Sequence, residues 1–140
     1  MNCSRNAARL PSVNRVVLDA SAILAVIGGE PGAEKLTSDL LARAVGSAVN
    51  LSEVQAKLVS RGWPSEQAWE DATSPVREVL AFDEAQARVA GDLVTQTRHL
   101  GLSFGDRACL ALGIALGLPV YTAEKAWKTL KVGVRIHVIR

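Results

Sequence analysis

The stretch VVLDASAIL, residues 16–24, constrains the fold more than any other. An apolar run fit for a strand ends on Asp19, and the chain then turns to small, helix-compatible residues. A strand that is apolar throughout is buried on both faces, as in a parallel sheet covered by helices. Its terminal carboxylate would lie at the edge where ligands bind in open α/β sheets.

The rest of the chain repeats the alternation. Strands are expected at 15–19, 46–49, 76–82, 118–122 and 135–139. Helices are expected at 20–27, 31–43, 50–61, 64–73, 83–98, 103–116 and 123–130. Strands alternating with helices imply an α/β fold, a three-layer α/β/α domain around a parallel sheet of about five strands. Right-handed crossovers give the order 3-2-1-4-5. Residues 1–14 lack periodicity and read as a flexible N-terminal tail or a start-site extension; residues 15–140 read as one domain. Gly113 and Gly117 have the spacing of a close helix-to-sheet contact.

Composition narrows the class. Of 140 residues, 49% are apolar and 21% charged, a globular balance. A net charge of +2 means that positive charge for an anionic partner must be local. Two cysteines, Cys3 and Cys109, make a disulfide framework unlikely and fit a reducing compartment. No Cys/His spacing suggests zinc. The first residues carry no apolar signal-peptide core, and the longest apolar run, 108–120, is too short to span a bilayer. A cytoplasmic protein without membrane attachment is expected.

Four acids then stand out: Asp19, Glu53, Asp106 and Glu124. Each has an ordinary structural role open to it. Asp19 can cap the helix from Ala20. Asn50–Glu53 and Ser103–Asp106 have the spacing of capping boxes. Glu124 can complement a helix dipole. Together they mean more, because Asp19, Glu53 and Glu124 follow the first, second and fourth strands, and Asp106 opens the helix leading into the fourth. All four should face one rim. Asp83 and Glu84 follow the third strand, which the order places at an edge, roughly 10 Å from the first. They are excluded from the cluster.

Two like charges 4 Å apart cost about 4 kcal/mol at an effective dielectric of 20. Arg107 and Lys125 adjoin two of the acids but are expected to point outward. An all-oxygen set of acids suits Mg²⁺ or Mn²⁺. Such an ion lowers the pKa of a bound water and neutralises a phosphate, which is chemistry for cleaving phosphodiesters.

In order and spacing, VLDASAIL, NLSEV, LSFGDRACLALG and YTAEKAW resemble the PIN-domain nucleases, and more narrowly the VapC-like toxins of type II toxin–antitoxin pairs. The resemblance runs from Arg15 to Arg140. It implies a PIN fold, a Mg²⁺- or Mn²⁺-dependent endoribonuclease that hydrolyses RNA with a metal-activated water, inhibition by a cognate VapB-like antitoxin, and a homodimer. It carries catalytic, metal-binding roles to Asp19, Glu53, Asp106 and Glu124, with Ser21 and Thr122 as supporting hydroxyls. Glu124 stands where the family usually has aspartate, and its extra methylene makes it the weakest member of the set. Glu53 is expected either to ligate the ion or to orient the attacking water.

Trp127 and Tyr121 read as packing residues. Trp63 and Trp69 flank Pro64, in a helical hairpin that either packs locally or meets the antitoxin. Arg98, Arg107, Lys125 and Lys128 are candidates for RNA contact, and His99 has no catalytic part. Two other functions fit the topology. A phospho-receiver or phosphatase-like domain needs a further acid near the first strand, where Ala20 and Ser21 stand. A catalytically impaired binding module would fail to bind Mg²⁺.

Overall fold

The computed structural model describes residues 14–140, so the expected tail lies, but for Asn14, outside the described residues. Five parallel strands form one sheet in the order β3-β2-β1-β4-β5. They are β1 (Val16–Leu18), β2 (Ala44–Ser47), β3 (Glu78–Leu80), β4 (Val120–Thr122) and β5 (Ile136–Val138). The helices are α1 (Ala20–Gly28), α2 (Ser38–Leu41), α3 (Ala48–Ser60), α4 (Ser65–Thr73), α5 (Glu84–Asp92), α6 (Val94–Thr97) and α7 (Phe104–Leu116).

Alternation along the central strand feeds two cores. Val16 and Leu18 pack with Ile23, Leu51, Val54 and Leu58 on the face covered by α1, α3 and α4. Val17 packs with Val45, Val120, Leu110, Leu112 and Trp127 on the other face. A fully apolar β1 is what two covered faces demand. Trp127 is almost wholly buried, as expected of a packing residue. The Tyr121 ring is partly buried against the first of these cores, also as expected, and stacks on His137 across β4 and β5, with centroids 4.6 Å apart.

Several expected boundaries are corrected. The single helix over 31–43 is broken: Gly32 adopts φ +94, a 3₁₀ turn spans Ala33–Lys35, and Thr37 caps the short α2. The second strand lies earlier than 46–49, because Ser47 ends it and caps α3 by accepting from the Val49 N–H. Asn50 is therefore already helical and is not a cap. The third strand is only three residues long, at the exposed edge. The helix expected over 83–98 divides into α5, α6 and a 3₁₀ turn at Arg98–Leu100. The last expected helix is a 3₁₀ segment, Lys125–Thr129.

Gly113 lets α7 approach the sheet. A Cβ there would lie 2.7 Å from Val120 Cγ2 and 3.1 Å from the Leu118 carbonyl oxygen. Gly91, in α5, has none of the described residues within 4 Å of its ideal Cβ. The two helical glycines should respond oppositely. Gly113→Val should destabilise by about 1–3 kcal/mol through overpacking. Gly91→Ala should stabilise by about 0.5–1 kcal/mol through helix propensity. Urea unfolding midpoints check both signs.

Candidate active site

Asp19 is the residue immediately after β1 and the cap of α1. Its side chain is 2% exposed. Oδ1 accepts from the Ala22 N–H (2.8 Å) and the Ser21 hydroxyl (2.8 Å), and Oδ2 accepts from the Thr122 hydroxyl (2.6 Å). Both hydroxyl protons are thereby committed to Asp19, since each hydroxyl has only one. Their lone pairs are used as well: Ser21 Oγ accepts from the Ala123 N–H (2.9 Å), and Thr122 Oγ1 accepts from the Glu124 N–H (3.0 Å). The two supporting hydroxyls thus orient Asp19 and tie the chain after β4 to the start of α1.

Glu53 projects from the second turn of α3. Its Oε1 accepts from Asn50 Nδ2 (3.0 Å), which also donates to the Gly105 carbonyl (2.9 Å). Asn50 is 1% exposed. It fastens Glu53 to the first turn of α7, which carries Asp106. A Cβ at Gly105 would run into the Glu53 carboxylate and displace it from the place where Asn50 holds it. Asp106 completes a capping box with Ser103: Asp106 Oδ2 accepts from the Ser103 N–H (3.0 Å) and Ser103 Oγ from the Asp106 N–H (3.2 Å).

All four predicted acids line one cleft of about 270 Å³, with Ser21, Leu24 and Lys57. Asp19 is buried at its base, Asp106 is half-buried, and Glu53 and Glu124 are exposed. Asp83 lies outside it and caps α5 through the Gln86 N–H. Lys57 is a cation that sequence reasoning missed; it sits one turn beyond Glu53, so the i, i+4 spacing was the available signal. Arg107 does not point outward into solvent. Its guanidinium donates to the Ala90 carbonyl (2.8 Å) and is packed between α7 and α5.

Burial raises the Asp19 carboxyl from 3.8 to about 6, against the lowering effect of its three hydrogen bonds, and the Asp106 charge adds to the rise. Burial also pushes the Cys109 thiol well above its ordinary value, and Asp19, Asp106 and Glu53 push it the same way. One point in the core thus feels three of the four acids. Among the described residues, no three acidic, histidine or cysteine side chains stand close enough to cage an ion. The cleft fits an ion that keeps part of its water shell. Mg²⁺ is such an ion, commonly held by one or two carboxylates and several waters.

In the metal-free protein, the folded state binds Asp19's proton more tightly than the unfolded state does. Stability is therefore fully present below pH 3.8 and is lost as pH rises through about 6. The shift corresponds to about 3 kcal/mol. In EDTA, Asp19→Asn should remove this component, so its unfolding free energy should gain on the parent's between pH 4 and 7. Asn50→Ala should cost about 1–2 kcal/mol, since it removes the two hydrogen bonds by which the buried amide ties Glu53 to the Gly105 carbonyl. Denaturant titrations across pH read both effects.

No curated protein matches the sequence. Solved structures do share the fold. VapBC2 from Rickettsia felis, bound to a promoter DNA fragment, is 20% identical with a TM-score of 0.69, over 89% of this chain and 98% of that one. DNA-bound VapBC from Salmonella typhimurium is 19% identical with a TM-score of 0.70, over 90% and 98%. VapC20 from Mycobacterium tuberculosis, a sarcin-ricin loop cleaving toxin, is 16% identical with a TM-score of 0.64, over 84% of this chain and 97% of that one. The sequence profile of the PIN domain matches residues 16–132, and with the five-stranded sheet and its acid-lined rim it establishes that this chain belongs to the PIN domain family.

Proposed function

We propose that this chain is the toxin of a type II toxin–antitoxin pair, an endoribonuclease that hydrolyses RNA phosphodiester bonds with Mg²⁺ or Mn²⁺. The observation that carries the reading is the convergence of Asp19, Glu53, Asp106 and Glu124, from four separate segments, on one cleft. The structural likeness to VapBC complexes supports a VapB-like antitoxin as partner. Action in the cytoplasm as a homodimer belongs to the same reading.

The donor set is oxygen-only and anionic, which fits a hard divalent cation. Asp19 and Asp106 would hold it, with Glu53 as a further ligand or as the group that orients the attacking water. Glu124, exposed at the mouth, is the most weakly held of the four. When bound, the ion supplies an acidified water and neutralises the phosphate's charge. Ser21 and Thr122 keep Asp19's lone pairs fixed in direction. Asn50 holds Glu53 against the start of α7. Lys57 gives the cleft mouth a cation that can meet a substrate phosphate.

Mn²⁺ titration by calorimetry and mapping of RNA ends after induced expression test the reading. The parent should bind Mn²⁺ and generate new RNA ends. Asp19→Asn and Asp106→Asn should lose both, and Glu124→Gln should lose less. RNA ends that are the same with and without Asp19→Asn would overturn the nuclease, and a parent that binds no Mn²⁺ would leave a bare binding module.

A further inference from the structure

Four of the five strands begin directly after an arginine: Arg15 before β1, Arg43 before β2, Arg77 before β3 and Arg135 before β5. Because every strand is parallel, these residues gather at the rim opposite the carboxylates. Three of them, Arg15, Arg43 and Arg135, line a cleft of about 340 Å³ with Tyr121, His137 and Asn14. Among the described residues, no acidic side chain lines it. Its three arginines alone exceed the net charge of the whole chain, +2.

The roots of these side chains are fixed. The Arg43 carbonyl accepts from the Val16 N–H (3.1 Å), and the Arg135 carbonyl from the Val120 N–H (2.9 Å). Their heads keep donors in reserve. Arg15 pairs with Glu78 at 3.3 Å, yet its buried Nε has no partner among the described residues. Arg43 donates through Nη1 to the Asn14 carbonyl. No side-chain hydrogen bond engages Arg135 among the described residues. Each guanidinium has five N–H donors, so one partner leaves most of them available. Arg77 donates to the Ala42 carbonyl (3.4 Å) and lies outside the cleft.

The cleft also offers a flat surface. Tyr121 and His137 stack with an interplanar angle of 17°. Burial and the neighbouring Arg135 hold the imidazole below its usual value, which favours its neutral form. Guanidinium forks match phosphate oxygens, and flat rings match bases. An acidic peptide would use the arginines and leave the rings without a counterpart.

We propose that this arginine-lined cleft is a second nucleic-acid site, which grips the backbone of single-stranded RNA away from the carboxylates. The assignment rests on the ribonuclease reading for the choice of RNA. Pro119 lines the arginine cleft and Glu124 the carboxylate cleft. Five residues of extended chain separate them, about 17 Å. A strand that turns the edge of the sheet beside β5 can engage both, whereas a very short one reaches only one of them at a time, so its cleavage needs the carboxylate cleft alone. Binding away from the reacting bond then improves the capture of long substrates.

The test is fluorescence anisotropy of the full chain in EDTA, with labelled oligouridylates of about 30 and about 6 nucleotides, over a salt series. Arg135→Gln should weaken binding of the long probe about tenfold and flatten its log–log salt slope by about 0.7, the loss of one phosphate contact on a single strand. Arg43→Gln should act in the same direction, and Arg135→Lys should recover most of the slope. Mn²⁺ affinity and cleavage of the short probe should be unchanged in Arg135→Gln. Unchanged affinity and slope for the long probe in both glutamine variants would overturn the site, as would displacement of that probe by polyglutamate at equal charge concentration. Because EDTA prevents cleavage, these outcomes are separate from the fate of the nuclease reading, which the RNA ends decide.

Discussion

A carboxylate at the end of the central strand, almost without solvent, is the constraint around which one rim is built. Asp19 accepts three hydrogen bonds from three different groups, and two of the donors, Ser21 and Thr122, each hold a further backbone N–H. The network joins β1, α1 and the chain after β4 in one hydrogen-bonded unit. Burial nevertheless keeps the carboxyl's pKa high, so the hydrogen bonds do not fully replace water. A buried anion in that condition is a standing attraction for a cation. The neighbouring acids strengthen that attraction without adding to the desolvation of Asp19.

A parallel sheet makes its two rims chemically independent. Each strand enters at one rim and leaves at the other, so residues before and after a strand never share an edge. Here acids follow the strands and arginines precede them. The strands are only three or four residues long, so opposite charges stand at the two ends of a thin sheet. The small net charge conceals this division.

Much of this was legible in the sequence. Apolar strands alternating with helices carry the parallel sheet, and handedness carries the strand order. The four acids could be placed because their positions relative to strands determine their rim. What escaped depended on contacts between segments far apart in the chain. Asn50 has capping spacing with Glu53, but Ser47 had already capped the helix, and the amide was turned to Gly105, 55 residues away. Arg107 was drawn to a carbonyl on α5 that no local pattern announces. The 3₁₀ segments at 33–35, 98–100 and 125–129 carry the same residues as short helices and differ only in how tightly packing winds them.

The joints between strands and helices differ in slack. Asp19 alone separates β1 from α1, and β2 passes into α3 with no intervening residue. An insertion between Ser47 and Glu53 would turn the glutamate about 100° around its helix. Longer connections, such as the one between α1 and α2, can absorb a residue without moving an acid. Variation in length among descendants of this chain should therefore concentrate in those connections and spare the two tight joints.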